Sequence, residues 1–180
     1  MRIQLPLVGQ SQYAPSILEK YRNSAYGPTT VFVILRYLSL QEEQKSINEL
    51  YQLLGCTPIG LFSHRLTRNL RKLLSPSYDV RKCSVDDALN EINEGRPVIL
   101  KFDRYFTLHF YTKGDFDYHY VPMIGFEKKR DDLILIIHDN GSPHRDSQIR
   151  EISYHKNHAI LRFFKLIPLK HEGASMTGNE

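Results

Sequence analysis

The sequence predicts an α+β domain in which a helical N-terminal half packs on an antiparallel sheet. The first half contains capped, amphipathic or uniformly apolar segments with a helical period, whereas the second half contains runs of β-branched and aromatic residues separated by Gly, Asn and Asp. Helices followed by strands is an order typical of α+β domains. At 180 residues, we expect a single domain over residues 1–168 and a disordered polar tail over residues 169–180.

The first strong helix follows a Gly-Pro pair. Proline fits the first turn of a helix because its missing N–H would have no intrahelical partner there, so Pro28 predicts a helix start with Gly27 near the N-cap. The run from Val31 to Leu38 is apolar except for Arg36. Such a segment has no broad polar face, and we expect it to be the most buried helix.

Three further helices are predicted by caps and periodicity. Ser46 with Glu49 three residues later forms a capping box for a helix over residues 46–54, and a Ser cap and a Gly stop delimit residues 84–95. Residues 60–74 are amphipathic, with a basic stripe of Arg65, Arg68 and Lys72. We interpret this stripe as a solvated face, with contact to phosphates or an acidic partner as the alternative.

Strands are predicted in the second half at "RPVILKFD", "YHYVPMIGFE", "DLILIIHD" and "AILRFFKLIPL". The "LILII" segment is apolar on both faces and is therefore expected to be a central strand.

Composition narrows the functional class. A net charge of +4 is mildly basic, well short of a dedicated nucleic-acid binder, and no apolar run approaches the ~18 residues of a membrane span. The N-terminus has no signal-peptide pattern, and Cys56 and Cys83 are too few and too far apart for a disulfide scaffold or a CxxC motif. We expect a cytoplasmic protein that binds no nucleic acid, membrane or cofactor.

Three positions could carry chemistry. Tyr26 immediately precedes the Gly-Pro helix start, where an enzyme would place an anion or a nucleophile. His119 lies at the start of one predicted strand, and Asp139 ends the next, followed by Asn140. If the two strands are neighbours, the carboxylate could fix the tautomer of the imidazole, and we expect the two side chains to lie about 2.6–3.2 Å apart or to be joined through one water. A locally hydrogen-bonded His and a turn-capping Asp are the alternative.

Three sequence blocks, in order, resemble papain-like cysteine peptidases, specifically the bacteriocin-leader-processing (double-glycine) group. They are "YGPTT", "HYVPMIG" and "LIIHDN", and the resemblance spans nearly the whole chain. It implies a papain-like cysteine proteinase fold. In these peptidases a Cys precedes the Gly-Pro pair, a His lies in the middle block and an Asp follows the apolar strand. The resemblance therefore implies that Tyr26 stands at the nucleophile position and that His119 and Asp139 are the remaining machinery.

The resemblance implies a peptidase-like domain without its nucleophile, which could still bind a peptide or protein segment. A phenol has a pKa near ~10 and a bulkier side chain than a thiol, so it is a poor acyl acceptor. One alternative is an active cysteine peptidase or acyltransferase in which Tyr26 replaces the catalytic Cys. Another is a small-molecule acyl-transfer enzyme that uses His119 as a base without a covalent step.

The other candidates have weaker patterns. The resemblance implies an oxyanion-stabilising Gln upstream of the nucleophile, for which Gln12 is favoured over Gln10, with an exposed loop Gln as the alternative. Small buried cysteines are common, so we do not expect either cysteine to be reactive. No His-x-x-x-His pair on a helix and no CxxC supports a metal site, so none is predicted from the remaining histidines considered, which are His109, His138, His144 and His155.

Overall fold

The computed structural model describes residues 1–40, 45–105 and 114–169. Its α-helices are α1 (Glu19–Arg22), α2 (Tyr26–Tyr37), α3 (Ile47–Leu53), α4 (Ser63–Leu74), α5 (Val85–Asn93) and α6 (Tyr154–Asn157). Its strands are β1 (Arg2–Gln4), β2 (Tyr78–Cys83), β3 (Val98–Asp103), β4 (Tyr118–Lys128), β5 (Leu133–Asp139), β6 (Gln148–Ser153) and β7 (Leu161–Pro168). A short 3-10 helix, His158–Ile160, precedes β7.

The strands form one antiparallel sheet in the order β2-β7-β3-β4-β5-β6, and β1 also pairs with β4. Helix α2 packs against β4 and β3, α4 packs against β2, and α5 packs against β4 and β7. Strands β3, β4 and β5 are almost wholly buried along their central residues. The predicted α+β class with an antiparallel sheet is confirmed.

The four predicted strands are present, but three further strands were not predicted. β1 has only three residues, too few to show a period. β2 ("YDVRKC") and β6 ("QIREIS") lie at the two ends of the sheet order and are half-exposed, so their sequences lack the apolar runs that identify central strands.

Helix α2 begins two residues earlier than the Gly-Pro pattern predicts. Its N-cap is Ala25, so Tyr26 is the first helical residue and Gly27 and Pro28 follow within the first turn. Proline is tolerated there because the first-turn N–H groups have no intrahelical partners. Nine of its 12 residues are buried, more than in any other helix of the described residues, which confirms the predicted burial.

The two predicted cap positions are occupied as expected. Ser46 and Glu49 make both hydrogen bonds of a capping box at the start of α3. Ser84 caps α5, and Asp87 completes a second capping box. Such reciprocal bonds satisfy two backbone N–H groups at each helix start.

The C-terminal prediction lies almost entirely outside the described residues. Of the expected tail, only Leu169 is described, and its N–H donates to the Ser77 carbonyl at 2.9 Å. Across the described ranges, we find no helix with the length and apolar character needed to cross a membrane.

Candidate active site

The first turn of α2 is fixed to the sheet by a buried amide. Asn140 follows β5, and its Nδ2 lies 3.1 Å from the Tyr26 carbonyl oxygen, 2.9 Å from the Tyr120 carbonyl oxygen and 3.0 Å from Thr30 Oγ1. These bonds link the start of α2 to β4. The backbone of position 26 is therefore held beside the strand that carries His119.

The Tyr26 ring is enclosed by aromatic side chains. Its centroid lies 5.4 Å from that of His119, 5.9 Å from that of Tyr118 and 6.1 Å from that of Tyr120. The Tyr26 hydroxyl donates to the Ile59 carbonyl at 3.4 Å. With only 7% of the residue exposed, the phenol fills the space between β4 and the segment before α4.

Gly60 shows how tightly this space is filled. A Cβ at this position would lie 2.0 Å from Tyr26 Oη, and the residue has a φ of +115°, a conformation that side chains disfavour. Burial also raises the pKa of the Tyr26 phenol far above its ordinary value. The hydroxyl is therefore neutral at physiological pH.

His119 and Asp139 lie together, as the order of the strands predicts. His119 Nε2 is 3.5 Å from Asp139 Oδ1, slightly longer than the predicted range, and Asp139 is fully buried. The imidazole stacks on the Phe116 ring at a centroid distance of 4.8 Å. Tyr26 contacts the His119 ring edge-on, so the imidazole lies next to both Tyr26 and Asp139.

Asp139 also binds two arginines that the sequence patterns did not identify. Arg145 Nη2 donates to Asp139 Oδ2 at 2.6 Å and Arg150 Nη1 donates to the same atom at 3.2 Å. Burial alone would raise the pKa of Asp139, but His119 and the two arginines outweigh it and hold that pKa well below its usual range. The carboxylate is ionised and shared by three basic groups.

Asp139→Asn is expected to lower the free energy of unfolding by about 2 kcal/mol at neutral pH, because the fully buried carboxylate loses charged hydrogen bonds from Arg145 and Arg150, which are themselves partly exposed. A carboxyl with a depressed folded-state pKa contributes its full stability above the unfolded-state pKa of ~3.9, and that contribution is lost as the pH falls. The difference between wild type and variant should therefore shrink in acid. Urea unfolding across this pH range measures it, with the exposed Asp86→Asn as control; a pH-independent difference would contradict an ionised, paired Asp139.

Comparison with known proteins now identifies the family. The model of the Peptidase_C39 like family matches residues 10–165. The chain belongs to this family. No curated protein matches the sequence.

A solved structure shows the same fold as this C39-like domain. It is the peptidase domain of Streptococcus ComA, a bi-functional ABC transporter involved in a quorum-sensing pathway. The match has a TM-score of 0.54 at 18% identity and covers 81% of this chain and 92% of that chain. At this identity the likeness shows the fold alone, and it confirms the papain-like assignment.

The two glutamines predicted as oxyanion candidates, Gln10 and Gln12, lie in different surroundings. Gln12 is buried; its Nε2 donates to the Arg22 carbonyl at 2.8 Å, and its backbone N–H donates to the Asn140 carbonyl at 2.9 Å. Gln10 instead lines a surface groove. Gln12 thus lies next to the Asp139–Asn140 corner, and its role as an oxyanion donor stays a prediction.

Neither cysteine of the C39-like domain has the features of a nucleophile. Burial raises the pKa of Cys56 to about 11 and that of Cys83 to about 12. The Cys56 thiol donates to the Ser24 carbonyl at 3.3 Å. A nucleophilic cysteine needs a depressed pKa, and burial has the opposite effect on both thiols.

The histidines considered for a metal site are scattered in the described part of the fold. Within residues 1–40, 45–105 and 114–169, no three His, Cys, Asp or Glu side chains are grouped to hold a metal ion. His109 lies outside the described residues.

A buried ion pair beside the site was also missed by sequence reasoning. Lys101 Nζ lies 2.8 Å from Asp103 Oδ2, donates to Ser63 Oγ at 3.0 Å, and sits 4.5 Å from the Tyr118 ring centroid. The sequence feature that could have predicted this ion pair is a single Lys within the apolar strand "VILKFD". A charge inside such a strand is rare unless it is paired.

Proposed function

We propose that this C39-like domain has lost peptide hydrolysis and retains peptide binding. The observation that carries the proposal is the buried Tyr26 ring at the start of α2, in edge contact with His119. In a cysteine peptidase a thiolate beside an imidazolium attacks the substrate carbonyl. Tyr26 offers a neutral hydroxyl engaged with the Ile59 carbonyl, and its ring occupies the space in which a substrate carbonyl would be attacked.

A surface groove of about 670 Å³ supports the peptide-binding part of the proposal. One wall runs from Gly9 to Pro15, except Gln12, and the other from Ser142 to Ser147. Arg145 belongs to this wall and also binds Asp139, so the groove adjoins the candidate site. Both walls carry polar side chains, such as those of Gln10 and His144, that can form hydrogen bonds with an extended peptide.

The first test measures hydrolysis and binding with the same probe, a short fluorogenic peptide containing a central Gly-Gly. We expect no turnover above buffer by wild type, and no change in Tyr26→Phe, because no nucleophile is present. We expect saturable binding by fluorescence anisotropy. His144→Trp places a large ring in the groove and should weaken binding. His155 is exposed but does not line the groove, so His155→Trp should bind the peptide like wild type.

Each outcome bears on one half of the proposal. Turnover by wild type would overturn the loss of hydrolysis, and its persistence in Tyr26→Phe would place the chemistry elsewhere. An absence of binding, or equal binding by both Trp variants, would overturn the assignment of the groove.

The retained pair of His119 and Asp139 favours a second candidate, an active cysteine peptidase or acyltransferase in which Tyr26 stands in for the catalytic Cys. The two functions differ only at position 26. Restoring a thiol there distinguishes them from a site that has diverged further.

A further inference from the structure

The positive charge of the chain is concentrated in one segment. Residues 63–83 contain six basic residues and one acidic residue, whereas the remaining residues contain 18 basic and 19 acidic ones. This segment comprises α4 and β2, which pack against each other. The net charge of +4 therefore arises wholly from α4, β2 and the turn between them.

The structure shows which of these charges face solvent. Arg65 is half-buried and donates to the Gly55 carbonyl at 2.9 Å, so it is part of the fold. The exposed members are Arg68, Arg71, Lys72, Arg81 and Lys82, and the first four form what we call the α4–β2 basic surface. Successive side chains of a strand point to opposite faces of the sheet, so the Lys82 side chain points away from that of Arg81. It extends the basic stripe predicted for α4 onto the neighbouring strand.

The α4–β2 basic surface already binds one carboxylate. Asp79 Oδ1 accepts from Arg71 Nε at 2.6 Å, and Asp79 Oδ2 accepts from Arg81 Nε at 2.5 Å. These three residues line a cavity of about 500 Å³ together with Ser75, Tyr78 and Leu169. The surface therefore has the geometry of a carboxylate site with more guanidinium groups than carboxylates.

The backbone of β2 at Val80 is not free to pair with an added strand. The Val80 N–H donates to Asp79 Oδ1 at 2.7 Å, and the Val80 carbonyl accepts from Arg71 Nη2 at 2.7 Å. Side chains thus engage both backbone groups of Val80, as protected edge strands do. Recognition at this surface must depend on side-chain charge.

We propose that the α4–β2 basic surface docks an acidic segment of a partner protein. Carboxylates match the demonstrated contacts of Arg71 and Arg81, and Leu169, 44% exposed, offers an apolar contact at the rim of the cavity. Among the described residues that line the cavity, only the half-buried Tyr78 is aromatic, which disfavours stacked nucleic-acid bases. Within the part of the chain that the structure describes, Leu169 is the one exposed large apolar residue at this surface, whereas a peripheral helix enters a membrane with a cluster of them.

The test uses the full chain and a short fluorescein-labelled peptide of Glu and Asp with one central Leu. We expect saturable, salt-sensitive binding by anisotropy, about tenfold weaker in Arg68→Glu/Lys72→Glu. The matched variant Lys128→Glu/Arg130→Glu makes the same change in net charge at exposed positions elsewhere and should bind like wild type. Asp79→Asn should strengthen binding because it frees two guanidinium groups, whereas the exposed Asp131→Asn should not.

Several results would overturn the proposal. The acidic peptide could fail to bind, or both charge-reversal pairs could weaken its binding equally. A thymidine oligonucleotide could bind more tightly than the peptide, or phosphatidylserine vesicles could do so. The last two would identify a different class of partner. None depends on hydrolysis or on Tyr26, so failure here is separable from failure of the proposed function.

Discussion

Tyr26→Cys is expected to create a thiol that iodoacetamide alkylates at near-neutral pH at least about a hundredfold faster than Cys56 or Cys83. Position 26 is the first residue of α2, where the helix dipole favours an anion, and the His119 ring lies beside it. Both features lower a thiol pKa below the free value of ~8.5. Burial raises the pKa of Cys56 to about 11 and that of Cys83 to about 12, so the two native thiols serve as slowly reacting internal controls.

Two controls separate activation from simple exposure. Adding His119→Ala should remove the advantage, because the imidazolium that stabilises the thiolate is lost. In denaturant all three thiols should react at similar rates. Removing the phenol also leaves a cavity that we expect to cost about 3–5 kcal/mol, so circular dichroism must show that Tyr26→Cys is folded before rates are compared.

The result distinguishes a site that lacks only its thiol, which both candidate functions assume, from a site that has diverged further. Fast alkylation with peptide turnover would show that Tyr26 alone separates this domain from an active cysteine peptidase. Fast alkylation without turnover would indicate that the oxyanion donor or the substrate cleft has also diverged. A rate no greater than that of the native cysteines would contradict an intact site. In that case, the capture of Asp139 Oδ2 by Arg145 and Arg150 offers a physical reason, because it weakens the carboxylate's hold on His119.

The helices and strands that could be predicted from the sequence are those determined by residues close together along the chain. Capping boxes at Ser46 and Ser84 and the apolar runs of β3, β4 and β5 predict their elements because a few neighbouring residues determine them. β2 and β6 are polar strands that are stabilised by pairing with β7 and β5. This pairing is between residues that are not close together in the sequence, so no short sequence pattern predicts it.

The same distinction applies to the candidate site. Tyr26, His119 and Asp139 could be placed together because the family resemblance supplies their order along the chain. Arg145 and Arg150 could not, since their contact with Asp139 depends on the path of the turn after β5. The position of Gln12, whose amide faces the Arg22 carbonyl, likewise depends on loop packing that no residue spacing fixes.

Lys101→Met is expected to lower the free energy of unfolding by roughly 3–5 kcal/mol, because it removes one partner of a buried ion pair. Lys101 is 2% exposed and Asp103 is 5% exposed, so solvent cannot replace the ammonium that Asp103 loses.

The double variant Lys101→Met/Asp103→Leu separates the net contribution of the pair from the penalty of removing only one of its members. Replacing both members of a buried pair with apolar side chains is often neutral, so the double variant should be more stable than Lys101→Met alone. Urea unfolding of the wild type, both single variants and the double variant gives the coupling energy of the pair. Additive losses would contradict a coupled pair. A coupled pair would hold the Lys101 ammonium in place, where its Nζ contacts Ser63 and the Tyr118 ring, which adjoin the segment packed on Tyr26.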